Sequence, residues 1–256
     1  MPTIKQLTDK GDIISIVRIL RSSNNPKTQL ASLKAISVLA KKGILDHTVI
    51  DKINEVLSNG TKDVRIQAAF AIGDMAEKGA YKEESLQPLI DLSFGHDVNI
   101  RWSTTFALKA LIKCDIFADD ATNFFSEKLH DRFDKVSYNA AFAIGHLAER
   151  GIVDKSTVTS LTALLSDKNI VCRKAAAFSL RNLAIKDIYD TVSDSVELQS
   201  LKKVLNDHDR STRIYASEAI DLLKMIGVSD SVNDKDNNRD VNVKVVASDG
   251  NTINIR

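Results

Sequence analysis

The stretch Thr61-Lys-Asp-Val-Arg65-Ile-Gln-Ala-Ala-Phe70-Ala-Ile-Gly73 sets the pattern for the chain. Within it Ala68, Ala71 and Ile72 fall three to four residues apart, and Met75 follows, which is the spacing of one apolar helix face. The same face returns at a fixed interval. Ala35, Ala71, Ala107 and Ala143 stand 36 residues apart, Ser179 continues the step, and Ala219 comes four residues late, after a longer connection over residues 185–195. Each is followed at once by a large apolar residue: Ile36, Ile72, Leu108, Ile144, Leu180 and Ile220. Three positions earlier stand Ser32, Ala68, Thr104, Ala140, Ala176 and Ala216, small enough to let a neighbouring helix approach closely.

A second series precedes each of these. Val17, Ile53, Leu89, Phe125 and Leu161 keep the same step, with Leu201 after the connection. Leu20, Val56, Leu92, Leu164 and Val204 follow one turn later, and Lys128 interrupts that series. Each unit therefore reads as a first helix of about ten residues, a short turn, and a second helix of about fifteen. Asn59-Gly60, Gly95, Asp131 and Asp167 mark turns, and Gly43, Gly79 and Gly151 close second helices. One such hairpin cannot bury its own apolar face, whereas a stack buries a continuous core. The expected fold is all-α: a right-handed α-α superhelix of about six hairpins, with units near 12–43, 44–79, 80–115, 116–151, 152–187 and 188–227.

The Thr61–Gly73 segment resembles the second-helix signature of HEAT repeats, especially the bilin-lyase-like subgroup. Asp97-Val-Asn-Ile-Arg101 and Asp209-Arg-Ser-Thr-Arg213 repeat its Asp-x-x-x-Arg opening, and Asn169 with Arg173 gives a weakened copy. The resemblance covers roughly residues 12 to 226 and implies a HEAT/armadillo-type solenoid. It also implies that Arg65, Arg101, Arg173 and Arg213 tie adjacent repeats together through the Asp at the helix start. Gln29 and Ser137 depart from that pattern, so those two junctions are expected to be looser or differently curved.

In such repeats the second helices line the concave side. Counted from the Arg-equivalent position, offsets +3, +4, +6, +7 and +10 face the core, and +1, +2, +5 and +9 are left toward the groove. Phe70, Phe106, Phe142 and Phe178 occupy +5 in four consecutive units, while Ile66, Trp102 and Tyr138 occupy +1. Four rings in a row would form a contiguous apolar patch of the kind that marks an interaction surface. The same rings could instead tilt sideways and fill gaps between adjacent second helices, and the two arrangements overlap. The groove also resembles that of importin-α-type armadillo proteins, which grip an extended peptide with an aromatic and an Asn one turn later. Phe178-Ser-Leu-Arg-Asn182 reproduces that spacing. Asp74, Ala110 and His146 stand at the Asn-equivalent place elsewhere, and Asp74 would favour a basic group. The partner so implied is a protein or peptide segment touching Trp102, Phe106, Tyr138, Phe142 and Phe178.

Composition excludes several classes. The 256 residues carry 35 basic and 34 acidic side chains, so no overall field steers the chain to nucleic acid or anionic lipid. No apolar run approaches the ~18 residues of a membrane span, and the polar N-terminus lacks a signal core. A cytoplasmic location is expected. Cys114 and Cys172 have no metal-type spacing and read as buried thiols. Phosphate-loop, Gly-x-Ser-x-Gly and His-Glu-x-x-His signatures are missing, and the five histidines are scattered without ligand spacing. No cofactor, metal or catalytic constellation is expected. Two further classes remain as alternatives. A HEAT-like DNA-repair protein would need a basic, Trp-rich groove, and Trp102 is the only Trp. A bilin-lyase-like activity is implied only by the repeat type.

After Gly227 the pattern changes. Residues 228–240 are rich in Asp, Asn and Ser and read as a flexible linker. Alternating runs over 241–247 and 252–256 flank Ser248-Asp249-Gly250-Asn251, the signal of a weak β-hairpin in the 241–256 tail.

Overall fold

The computed structural model describes residues 2–114, 116, 121–153, 155–185, 195–225, 243–246 and 252–255. The linker over 228–240, the turn at Ser248–Asn251 and most of the connection after Ile185 lie outside the described residues.

Among the described residues the helices follow the expected alternation. After α1 (Ile4–Lys10) come α2 (Ile13–Ser22) and α3 (Pro26–Lys41), α4 (Ile50–Asn59) and α5 (Lys62–Ala76), α6 (Leu86–Ser93) and α7 (Val98–Lys113). Then follow α8 (Ala121–Lys128) and α9 (Asp134–Ala148), α10 (Lys155–Leu164) and α11 (Ile170–Ile185), and α12 (Ser195–Lys203) and α13 (Arg210–Met225). Short 3-10 turns over His47–Val49 and Glu83–Ser85 lead into α4 and α6. The chain ends in an antiparallel pair, β1 (Val243–Val246) and β2 (Thr252–Ile255), with Val243 opposite Ile255 and Val246 opposite Thr252.

The helix boundaries have local causes. Asn25 caps α3 by accepting from the Lys27 and Thr28 amides, with Pro26 as the first helical residue. The Asp97 carboxylate does the same for α7 through Asn99 and Ile100. Gly43, Gly79 and Gly151 end second helices at φ between 75° and 82°, a left-handed turn that a side chain would strain. Helix α1 had no place in the repeat pattern. A capping box between Thr3 and Gln6 starts it, Gly11 stops it, and Leu7 is buried where α1 covers α2 and α3.

The repeating positions form the core. Ile36, Leu39, Ala68, Ile72, Met75, Leu108, Leu111, Ile144, Leu147, Leu180, Leu183, Ala216 and Ile220 are all buried, as are Val17, Ile53, Leu89, Phe125, Leu161 and Leu201 from the first helices. Each second helix packs along the next, from α3 through α5, α7, α9 and α11 to α13, and much more extensively than consecutive first helices meet. The small residues facing those seams allow the close approach. The second-helix layer is thereby the tighter, inner side of the stack. Lys128, the break in the first-helix series, is also buried; its ammonium donates to the Ser93 carbonyl (3.1 Å) and lies 3.7 Å over the Phe94 ring.

Candidate functional site

The expected stripe residues lie together on the inner layer, and their rings touch. Phe70 meets Trp102 edge-on at 5.0 Å and Phe106 at 5.6 Å, and Trp102 also meets Phe133 at 6.3 Å. Farther along, Tyr138 contacts Phe142 at 4.8 Å, Phe142 stacks on Phe178 at 4.8 Å, and Phe178 reaches Tyr215 at 5.5 Å. All of Phe70, Trp102, Phe106, Tyr138, Phe142 and Phe178 are half-buried. Each ring is therefore both packed and presented, between the two arrangements the sequence allowed.

What turns the rings sideways is the residue at offset +8, which the sequence reading left unassigned. A Cβ added to Gly73 would lie 2.5 Å from the Phe106 ring, and one added to Gly145 would lie 2.7 Å from the Phe178 ring. Those glycines are the seats on which the next unit's phenyl rings lie. The equivalent residues between and beyond them are Lys109 and Arg181. A signal for this was present: Ala-Ala-Phe-Ala-Ile-Gly occurs at 68–73 and again, unchanged, at 140–145, two units later.

A recess of about 490 Å³ opens where the glycine seat is replaced by Lys109, lined by Trp102, Phe106, Lys109, Asp134, Lys135 and Tyr138 among others. The Lys109 ammonium lies 5.0 Å over the Phe106 ring, and Lys135 stands 3.8 Å over Trp102. Burial holds the Lys109 pKa below its ordinary value, against the pull of Glu77.

The +9 residues require correction, because three of the four do not face the groove. Asn182 is buried, and its amide donates to the Gly145 carbonyl (3.2 Å) and to Glu149 (3.0 Å), so it joins α11 to α9 and does not present itself to a peptide. Asp74 is 3% exposed and does meet a basic group, but an internal one, Lys41 at 3.2 Å. Burial still leaves its carboxyl above the usual range. Ala110 is buried. His146 remains half-buried beside Phe178, its Nδ1 3.2 Å from Glu149, whose pKa that contact lowers. Offset +9 faces the preceding helix because the tight seam rolls it inward.

The repeat-linking arginines also differ from expectation in their partner. Arg101 grips Asp131 of the next unit with two nitrogens (2.7 and 3.1 Å), and Arg173 grips Asp207 (2.5 Å). Both carboxylates sit in the turn, not at the helix start. Burial pushes Asp131 and Asp207 upward, but the guanidinium and backbone amides hold each below the usual carboxylate range. The helix-start residues serve as caps and side links: Asp97 pairs with Lys62, Asp209 accepts from the Thr212 amide, and Asn169 donates to Asp134. Arg65 and Arg213 depart further from expectation: Arg65 donates to the Ser58 carbonyl and Arg213 to the carbonyls of Asp207 and His208, bonds that stay within their own units and do not link repeats. Of the two thiols, Cys172 is buried, its pKa pushed up to about 12 by that burial, whereas Cys114 is half-buried. Among the described residues there is no His, Cys, Asp and Glu group that could hold a metal ion, and no helix long and apolar enough to cross a membrane.

This arrangement of paired helices, with the second of each pair forming a continuous inner row, has counterparts among solved structures. An engineered protein superposes with a TM-score of 0.68 at 20% identity, over 84% of this chain and 97% of that one. An archaeal HEAT-like repeat protein from Thermococcus onnurineus NA1 gives 0.61 at 16% identity, over 90% and 99%. The fold is that of a HEAT/armadillo solenoid. A designed armadillo repeat protein, in complex with the peptide (KR)4, matches this solenoid with a TM-score of 0.62 at 16% identity, over 81% and 98%. No protein-family model and no curated protein matches the solenoid sequence.

Proposed function

We propose that the protein is a non-catalytic binding scaffold that takes an extended segment of another protein along its inner face. The observation that carries the reading is the row of half-buried rings from Phe70 to Phe178. A ring serving the core alone would be closed on both sides, like Phe125, which is fully buried. The inner-face rings keep an edge in water, and covering such surface contributes about 25 cal/mol per Å². The designed armadillo protein with a bound (KR)4 peptide supports a peptide as the kind of partner this fold can serve. His146 belongs to the proposed surface; Asp74 and Asn182 act beneath it as inter-helix links.

Phe106→Ala and Phe142→Ala provide the test. Both variants are expected to retain the helical far-ultraviolet spectrum, since both rings are only half-buried, while partner capture in affinity purification from the native cell falls several-fold. Full capture by both variants would remove the groove from consideration.

A further inference from the structure

We infer that the recess around Lys109 is a subsite for a carboxylate side chain of the bound segment, flanked by pockets for apolar side chains. This deepens the scaffold reading and rests on it. The chain itself supplies the precedent. Arg181 occupies the same offset as Lys109 two units on, and the residue that reaches over it from the following helix is Glu218, at 2.5 Å. Glu218 stands at the offset that Phe142 holds in the unit after Lys109. Where the stack places a cation at this offset near its end, it also provides the acid; in the middle it provides a phenyl ring and an open recess.

The group an incoming acid would meet in the recess is Lys109. Lys109 is half-buried and has no ion pair or hydrogen bond to any described residue; its ammonium lies over the Phe106 ring. Lys135 adds a second, exposed cation at the Trp102 wall. Two carboxylates also stand here: Asp134 lines the recess and accepts from the Asn169 amide at 2.7 Å, and the exposed Glu77 pulls on Lys109 without forming an ion pair with it. An ammonium partly removed from water gains most from a carboxylate that completes its hydrogen bonds in the same shielded place. A phosphate backbone is a poorer match. Its evenly repeated charges would meet Glu77 beside the recess and Glu149 and Asp221 farther along, whereas a peptide can place a single acid at Lys109 and apolar side chains on the rings.

Trp102 is the only tryptophan and lines the recess, so its fluorescence reports occupancy. Three synthetic decapeptides alternating leucine with glutamate, glutamine or lysine are titrated against the full chain at low salt, beside a ten-nucleotide oligo-dT. The glutamate peptide is expected to shift the emission and to bind about tenfold tighter than the glutamine peptide. Lys109→Met is expected to abolish that ratio while binding of the glutamine peptide persists, with Lys109→Gln as a second variant should the first perturb helicity. Equal affinity for glutamate and glutamine peptides, or a ratio unchanged in both variants, overturns the acid subsite and leaves the groove standing. Tighter binding of the lysine peptide or of oligo-dT overturns it as well. A silent Trp102 with all probes removes subsite and groove together.

Discussion

At the scale of single residues, the arginine clamps show how one side chain depends on a distant one. Arg101 and Arg173 each find a turn carboxylate in the following unit, Asp131 and Asp207. The equivalent partner position for Arg65 is Gly95, which offers no carboxylate, and the Arg65 Nε is left without a partner. Arg101→Met should therefore cost about 2 kcal/mol in urea denaturation, the two-nitrogen clamp being less than a fifth exposed on either side. Arg65→Met should cost less than half as much. The pH dependence has a fixed sign. Asp131 titrates below its unfolded value, so the clamp's contribution is complete above the usual Asp pKa and is lost as pH falls through the lowered folded value. The gap between wild type and Arg101→Met should narrow on acidification below about pH 4, and a constant gap would show that the ion pair is not its source.

At the scale of helices, close approach is set by what stands at offset +8. Gly73 and Gly145 have room for a phenyl ring and nothing else. Gly73→Ala should move the Phe106 ring, and with it Phe70 and Trp102, because a Cβ there cannot coexist with a ring atom 2.5 Å away. The gain in helix propensity, about 1 kcal/mol, opposes that clash. The expected outcome is a net loss of stability together with altered Trp102 emission. Gly145→Ala should cost stability through Phe178 without altering that emission to the same degree. Stability equal to or above wild type for both would mean that the rings do not need their seats. The six-residue identity between 68–73 and 140–145 made this alternation readable, but a search tuned to a 36-residue step averages it away.

At the scale of the molecule, the stack is held by neighbours touching neighbours, so its ends are governed by local caps. Leu7 on α1 covers the apolar edge of α2 and α3. Leu7→Ala should cost about 2–3 kcal/mol locally and raise amide hydrogen exchange in α2 and α3, while α9 and α11 keep their protection. Uniform acceleration across the solenoid would instead indicate a single cooperative unit.

The helix periods and the first-then-second alternation were decided by sequence alone, because burial of a repeated apolar face leaves a periodic residue pattern, whereas how far the aromatic rings are packed was left open between two arrangements. Helix α1 escaped that reading because it belongs to no repeat and is fixed by a capping box and one buried leucine. The roles of Asn182, Asp74, Lys109 and the turn aspartates were decided only by tertiary structure. Each depends on how far the adjacent helix rolls toward it, a distance set by the size of a side chain 30 or more residues away.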